Sequence, residues 1–259
     1  MVQRAEPPGA LSAAPTAHGH VSESLAAQDE PFDSFWEAPA DVDRGFVTFG
    51  RFYRANYLSR LSTDRSAPVL VISSGYGYFL DLLRQEGFTD VLGIDSDAEK
   101  ISAAQSRGFA CRQARAFEHL EAADQRFEMI VCEQEINHLT KRELVQLLKL
   151  SRSRLRPGGR IIVHSLNGAN PITGADALAQ NFDHQHTLTE YSLRQVLKLC
   201  GFRDVEVFPL DLYVFWTNPL NYVAWALAAL HSLCFRFWFV LYGKKNRLWT
   251  KKIGAVGFA

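Results

Sequence analysis

The 259-residue chain has no net formal charge, because 28 lysines and arginines balance 28 aspartates and glutamates. That balance excludes a broad electrostatic grip on nucleic acid, which needs a basic face. Cysteine is scarce: Cys111, Cys132, Cys200 and Cys234 are scattered, with no Cys-x-x-Cys pair. They make neither a disulfide framework nor a zinc ribbon, and are read as reduced core thiols in a cytosolic protein. Residues 1–30 lack both hydrophobic periodicity and the apolar block of a signal peptide. Rich in Ala, Pro, Ser and Gly, they read as a disordered leader before a domain spanning 31–259. Asp183, His184 and His186 have no carboxylate-rich company, so no metal is expected there. A third glycine is also missing, since Gly75 and Gly77 are followed by Leu80 where a dinucleotide fingerprint wants glycine. That substitution argues against nicotinamide chemistry.

The rest of the chain is organised around Pro68 to Leu83. Val69-Leu70-Val71-Ile72 is an aliphatic run without polar alternation, the pattern of a strand buried on both faces of a parallel sheet. Gly75 and Gly77 then let the backbone approach a ligand, and Tyr78-Phe79-Leu80-Asp81-Leu82-Leu83 opens a helix whose first N–H groups face it. Twenty residues past Gly75, the second strand Val91–Asp95 ends in a carboxylate placed to hold a ribose diol. Further strands are expected at Phe109–Arg112, Phe127–Glu133, Ile161–His164, Asp204–Phe208 and Ile253–Phe258. Helices are expected over 44–61 with an aromatic face, from Asp97 to Gln105, from Thr140 to Leu155 behind a capping box, and over 190–199. Strands alternating with helices imply an α/β, Rossmann-like, doubly wound and mostly parallel seven-stranded sheet.

Gly75, Gly77 and Asp95, the Phe-Glu-Met-Ile run at 127–130, and Leu-Arg-Pro-Gly-Gly at 155–159 followed by a β run carry a resemblance. The chain resembles class I S-adenosylmethionine-dependent methyltransferases of type 11/12. The resemblance implies S-adenosyl-L-methionine as cofactor, with Ser73, Gly75, Tyr76, Gly77, Asp95, Ser96, Phe117 and Glu133 as its binding residues. Asn170-Pro171, Asp183-His184, Leu188-Thr189 and Gly201-Phe202 are similar to a subgroup that modifies sugars of bacterial surface polysaccharides and other glycan or small-molecule acceptors. It implies O-methylation of a glycan or lipid-linked small acceptor. His138 and His184 follow strands four and five, where ligands meet the sheet, and are the catalytic candidates; His164 and His186 are read as structural or surface residues. The chain departs from the family where acids are usual, at Val71 and at Arg115 or Ala116, and has Ser73 for the first glycine. Glu118 or Glu133 is the expected compensation. These departures give weight to an alternative, a catalytically impaired relative acting as a binding or membrane-associated partner.

Tyr222 to Tyr242 is almost continuously apolar, interrupted by His231 and Arg236 and followed by Lys244 and Lys245. An extra apolar helical insertion over 210–249 is therefore expected before the last strand. A single membrane crossing would strand that strand on the far side. The segment reads instead as an interfacial or dimer-forming helix using 214–242, as a lid, or as a helix buried on the sheet's flank. The expected location is cytoplasmic, with peripheral contact at the inner face of the membrane.

Overall fold

The computed structural model describes residues 42–133, 136–179, 184–211 and 219–259. The expected leader at 1–30 and the aromatic cluster at 31–36 lie outside the described residues. Seven strands form one sheet: β1 (Val69–Ile72), β2 (Val91–Asp95), β3 (Cys111–Gln113), β4 (Phe127–Cys132), β5 (Leu155–Leu166), β6 (Arg203–Leu210) and β7 (Lys252–Phe258). Their order is β3-β2-β1-β4-β5-β7-β6, with β7 antiparallel to both neighbours and β1 to β5 parallel. This is the doubly wound α/β sheet that the sequence implies. The order reverses between β1 and β4, so their carboxyl ends open a crevice for a ligand.

The burial of β1 shows why its sequence has no polar alternation. Val69 and Val71 enter a core built with α1 (Val42–Tyr57), α2 (Tyr78–Gln85) and α3 (Ala98–Ser106). Leu70 and Ile72 enter the opposite core, with α4 (Ala116–Ala122), α5 (Lys141–Arg154) and α7 (Glu190–Leu199). Local chemistry fixes the helix ends. The Asp97 carboxylate accepts from the Glu99 and Lys100 N–H groups at 2.9 and 3.2 Å, and Thr140 and Glu143 form the reciprocal capping box. The aromatic face of α1 packs on α2, with Phe49 4.9 Å from Tyr78 and Tyr53 4.9 Å from Phe79 between ring centroids.

Three expectations are corrected. The Leu155-Arg156-Pro157-Gly158-Gly159 stretch does not precede the strand expected at Ile161–His164 but lies inside β5, as an irregularity: the register against β4 shifts between Phe127 and Met129, and Gly158 sits at φ 79°. Helix α8 (Leu220–Leu241) is not buried on the sheet's flank, because none of its 22 residues is buried. Cys234, which it carries, is exposed and not a core thiol, whereas Cys111, Cys132 and Cys200 are buried. A short helix, α6 (Asp176–Ala179), lies between β5 and α7 in the chain.

Candidate active site

The turn after β1 has the shape of a glycine loop even where glycine is replaced. Ser73 adopts φ 56°, Gly75 φ 51° and Gly77 φ 92°, all in the left-handed region. A Cβ on Gly77 would lie 2.7 Å from Phe109 Cδ2, so only glycine fits there without displacement. The Gly75 N–H donates to Asp95 Oδ2 at 2.9 Å, and the Asp97 N–H donates to Asp95 Oδ1 at 2.9 Å. The spacing that suggested a site is thus a direct contact between loop and carboxylate. Each carboxylate oxygen has two lone pairs, so Asp95 keeps capacity for a ligand diol after these two bonds.

Around that core the other expected residues take distinct places. Tyr76 is buried, with its ring 6.2 Å from that of Tyr78. Ser96 is exposed, and its carbonyl accepts from Gln113 Nε2 at 3.0 Å. Phe117 is partly buried at the start of α4, against the core on the Leu70 face. Arg115, where the family has an acid, precedes α4 and lies 4.0 Å from Glu118, both solvent-exposed. Glu118 therefore faces water with a basic neighbour. Val71 is fully buried, so the acid missing there is replaced by core packing.

Glu133 follows β4, and its N–H donates to the Ile72 carbonyl at 2.9 Å, across the switch point. The Tyr53 hydroxyl donates to Glu133 Oε1. Helix α1 is thereby tied to the carboxyl edge by a charged hydrogen bond. Tyr53, Tyr57, Phe79, Glu133 and His164 line a narrow cleft here. His164, read as structural from sequence, is one of its walls.

The two catalytic candidates come together. His138 closes a short 3₁₀ turn after β4 (Ile136–His138), and its ring centroid is 4.7 Å from that of His184, edge to face. His184 Nδ1 meets the Ala177 carbonyl in α6. A carbonyl only accepts, so Nδ1 carries the hydrogen and the neutral ring keeps its basic lone pair on Nε2. A residue that the sequence did not single out holds the pair in place. Asn137 is fully buried, its carbonyl accepts from Gln185 N–H at 2.9 Å, and its Oδ1 accepts from Leu166 N–H at 3.4 Å. The signal available was its place beside His138, but its partners are far away in sequence.

Two other histidines have their pKa lowered by their surroundings. Burial, and then the nearby Lys141, hold His186 below its ordinary value. Burial, and then the Arg112 guanidinium 2.6 Å from Nδ1, do the same to His119. Among the described residues no group of three His, Cys, Asp or Glu side chains is arranged to hold a metal ion. Asp183 lies outside the described residues.

A family model described as a methyltransferase domain matches residues 48–207. No curated protein matches the chain in sequence. Among solved structures, a SAM-dependent methyltransferase from Archaeoglobus fulgidus is similar with a TM-score of 0.62 at 18% identity, over 88% of this chain and 98% of that one. An S-adenosylmethionine-dependent methyltransferase from Mesorhizobium loti reaches 0.51 at 14% identity, over 78% and 95%. Phosphoethanolamine N-methyltransferase 2 from Haemonchus contortus, in complex with S-adenosyl-L-methionine, reaches 0.53 at 14% identity, over 88% of this chain and 60% of that one. At these identities the likeness is one of fold.

Proposed function

The chain belongs to the methyltransferase-domain family, and from that premise we propose that it moves the methyl group of S-adenosyl-L-methionine to a hydroxyl of a sugar or lipid-linked small acceptor. The observation that carries the hydroxyl reading is the approach of His138 and His184 at the carboxyl edge of the sheet.

The residues of the glycine loop suit the cofactor. A Cβ on Gly75 would meet nothing within 4 Å, so a ligand can come close to the backbone there, and the spare lone pairs of Asp95 accept from a ribose diol. Phe117 offers an apolar face for a base, and Glu133 a carboxylate for a cation. When bound, S-adenosyl-L-methionine supplies a methyl carbon on a positively charged sulfur that departs as a neutral thioether.

The chain's own work is alignment, exclusion of water and proton removal. The aromatic face of α1 covers the edge from one side and keeps it dry. An acceptor hydroxyl against the histidine pair would give its proton to His184 Nε2, leaving the oxygen as nucleophile for the methyl group that bound S-adenosyl-L-methionine would supply. The Nδ1–H bond to Ala177 holds that tautomer and spreads the positive charge the ring gains. His138, edge to face with His184, sets the ring's orientation.

Calorimetric titration with S-adenosyl-L-methionine, of the protein and of Asp95→Ala, tests the cofactor site. The variant is expected to bind at least about tenfold more weakly, the worth of a hydrogen bond to a charged group; equal affinity overturns the assignment. Transfer of labelled methyl groups into glycan and lipid fractions tests the acceptor class. Label found only on amines overturns the hydroxyl reading.

A further inference from the structure

We propose that α8 is an in-plane membrane anchor, lying in the headgroup layer of an anionic phospholipid leaflet and holding the candidate active site against it. The argument rests on the helix and its flanks, not on the hydroxyl-acceptor reading.

The helix is inside out for a soluble protein. The less exposed residues are Asn221, Ala224, Ala228, Ser232, Phe235 and Phe239, a stripe at helical spacing made largely of small or polar side chains, whose Phe235 and Phe239 meet Trp249. The large apolar residues are exposed: Leu230 is 56% exposed, Leu233 66%, Phe237 61%, Val240 64% and Leu241 61%. A water-facing surface of that composition is unfavourable, and contiguous apolar patches of this size mark an apolar partner. Tyr222 and Trp225 stand near one end, Trp238 and Tyr242 near the other, the amphipathic rings that favour a membrane–water interface.

The chain beyond the helix identifies the partner by charge. Residues 242–252 contain Lys244, Lys245, Arg247, Lys251 and Lys252 and no acid. A basic run beside an apolar helix complements anionic headgroups, where each charge near the surface strengthens binding. A second copy packed helix to helix would bring no acid to that basic run, since residues 220–252 contain none.

Topology excludes a crossing. By length and composition α8 is long and apolar enough to span a bilayer, about 33 Å at 1.5 Å per residue. Yet it leaves and re-enters the same sheet edge, since Leu210 of β6 and Leu166 of β5 both pair with Lys252 of β7. The returning segment is pinned to the body. Tyr191 Oη donates to the Lys245 carbonyl at 2.7 Å, Glu190 accepts the Arg247 and Leu248 N–H groups, and Trp249 packs 4.3 Å from Phe239. A crossing would carry the basic segment through hydrocarbon with its backbone unpaired. The exposed Arg236 fits the in-plane arrangement, its stem on lipid and its guanidinium at the phosphates. Lys252 sits at the carboxyl ends of the parallel strands, the edge that bears Asp95 and the histidine pair. Docking there brings the acceptor mouth to the membrane surface.

Flotation of the full-length protein with phosphatidylglycerol-containing and with pure phosphatidylcholine vesicles tests this, together with alkylation of Cys234 by a water-soluble maleimide. Cys234 is a native reporter, exposed on α8 while Cys111, Cys132 and Cys200 are buried. The protein is expected to float with anionic vesicles and hardly with zwitterionic ones, and Cys234 alkylation is expected to slow by about tenfold or more as the helix enters lipid. Leu230→Glu/Phe237→Glu is expected to abolish flotation while leaving calorimetric binding of S-adenosyl-L-methionine unchanged, which shows that the fold survives. Lys244→Gln/Lys245→Gln is expected to weaken flotation by roughly tenfold. Failure to float, unchanged alkylation with vesicles, or equal flotation of the Glu variant overturns the proposal. So does a stable dimer that shields Cys234 in the absence of lipid, which assigns the face to a second copy.

Discussion

His138 and His184 stand on loops after different strands, yet their rings meet at 4.7 Å, just beside the hydrogen bond from Gln185 N–H to the Asn137 carbonyl. A base held this way acts on the proton-transfer step and not on cofactor binding. His184→Gln is expected to lower methyl transfer by about 10²–10⁴-fold, the range of a positioned general base. Affinity for S-adenosyl-L-methionine should stay as it was. Single-turnover rates paired with calorimetry check this, and a full rate in the variant removes His184 from the mechanism.

Ser73 occupies a glycine's conformation. At φ 56° an L side chain is strained by about 1–2 kcal/mol, part of which glycine returns through its greater freedom when unfolded. Ser73→Gly is expected to raise unfolding free energy by roughly 0.5–1 kcal/mol, and Ser73→Val to lower it. Urea denaturation of both variants decides the matter. A less stable glycine variant would mean that the serine side chain's own bonds offset the strain.

The approach of α1 to α2 gives a second packing test. A Cβ on Gly45 would lie 2.5 Å from Tyr78 Oη and 2.8 Å from Tyr78 Cε1. Alanine is the better residue in an isolated helix, so any loss in Gly45→Ala reports packing between the two helices alone. The expected loss is about 1–3 kcal/mol, the usual range for overpacking. Tyr78→Phe removes the nearest atom and should restore part of it. A double-mutant cycle by thermal unfolding measures this coupling, and additive effects refute the contact.

What the sequence carried about this fold and site follows from how local each signal is. The buried strand Val69–Ile72, the positive-φ glycines and the capping box at Thr140 depend on near neighbours, and were legible. The contact of Asp95 with Gly75 was legible too, because a fixed βαβ unit sets their separation. Asn137 was not, since its partners Leu166 and Gln185 come from other segments brought together by the sheet. The bond from Tyr53 to Glu133 spans 80 residues and has no local trace. The setting of α8 was hidden for a different reason. A helix apolar on nearly every side gives no periodicity from which to read which face meets the body, and only the structure shows that Phe235 and Phe239 meet Trp249.

Two buried histidines set the acid limit of the fold. His186 is 6% exposed and His119 8%, and both are held below the ordinary value of 6.5, first by burial and then by Lys141 or Arg112 respectively. Arg112 donates to His119 Nδ1, a bond that requires a lone pair there. In the unfolded chain both rings titrate near 6.5, so below that pH the unfolded state takes up protons that the native state refuses. Stability is therefore full above about pH 6.5 and falls as the pH drops toward the lowered native values. Urea unfolding across that window should show a slope set by up to two protons. His186→Phe should flatten it, because phenylalanine cannot bind a proton in either state. An unchanged slope in that variant would mean that His186 takes up its proton as readily in the folded protein as in the unfolded chain.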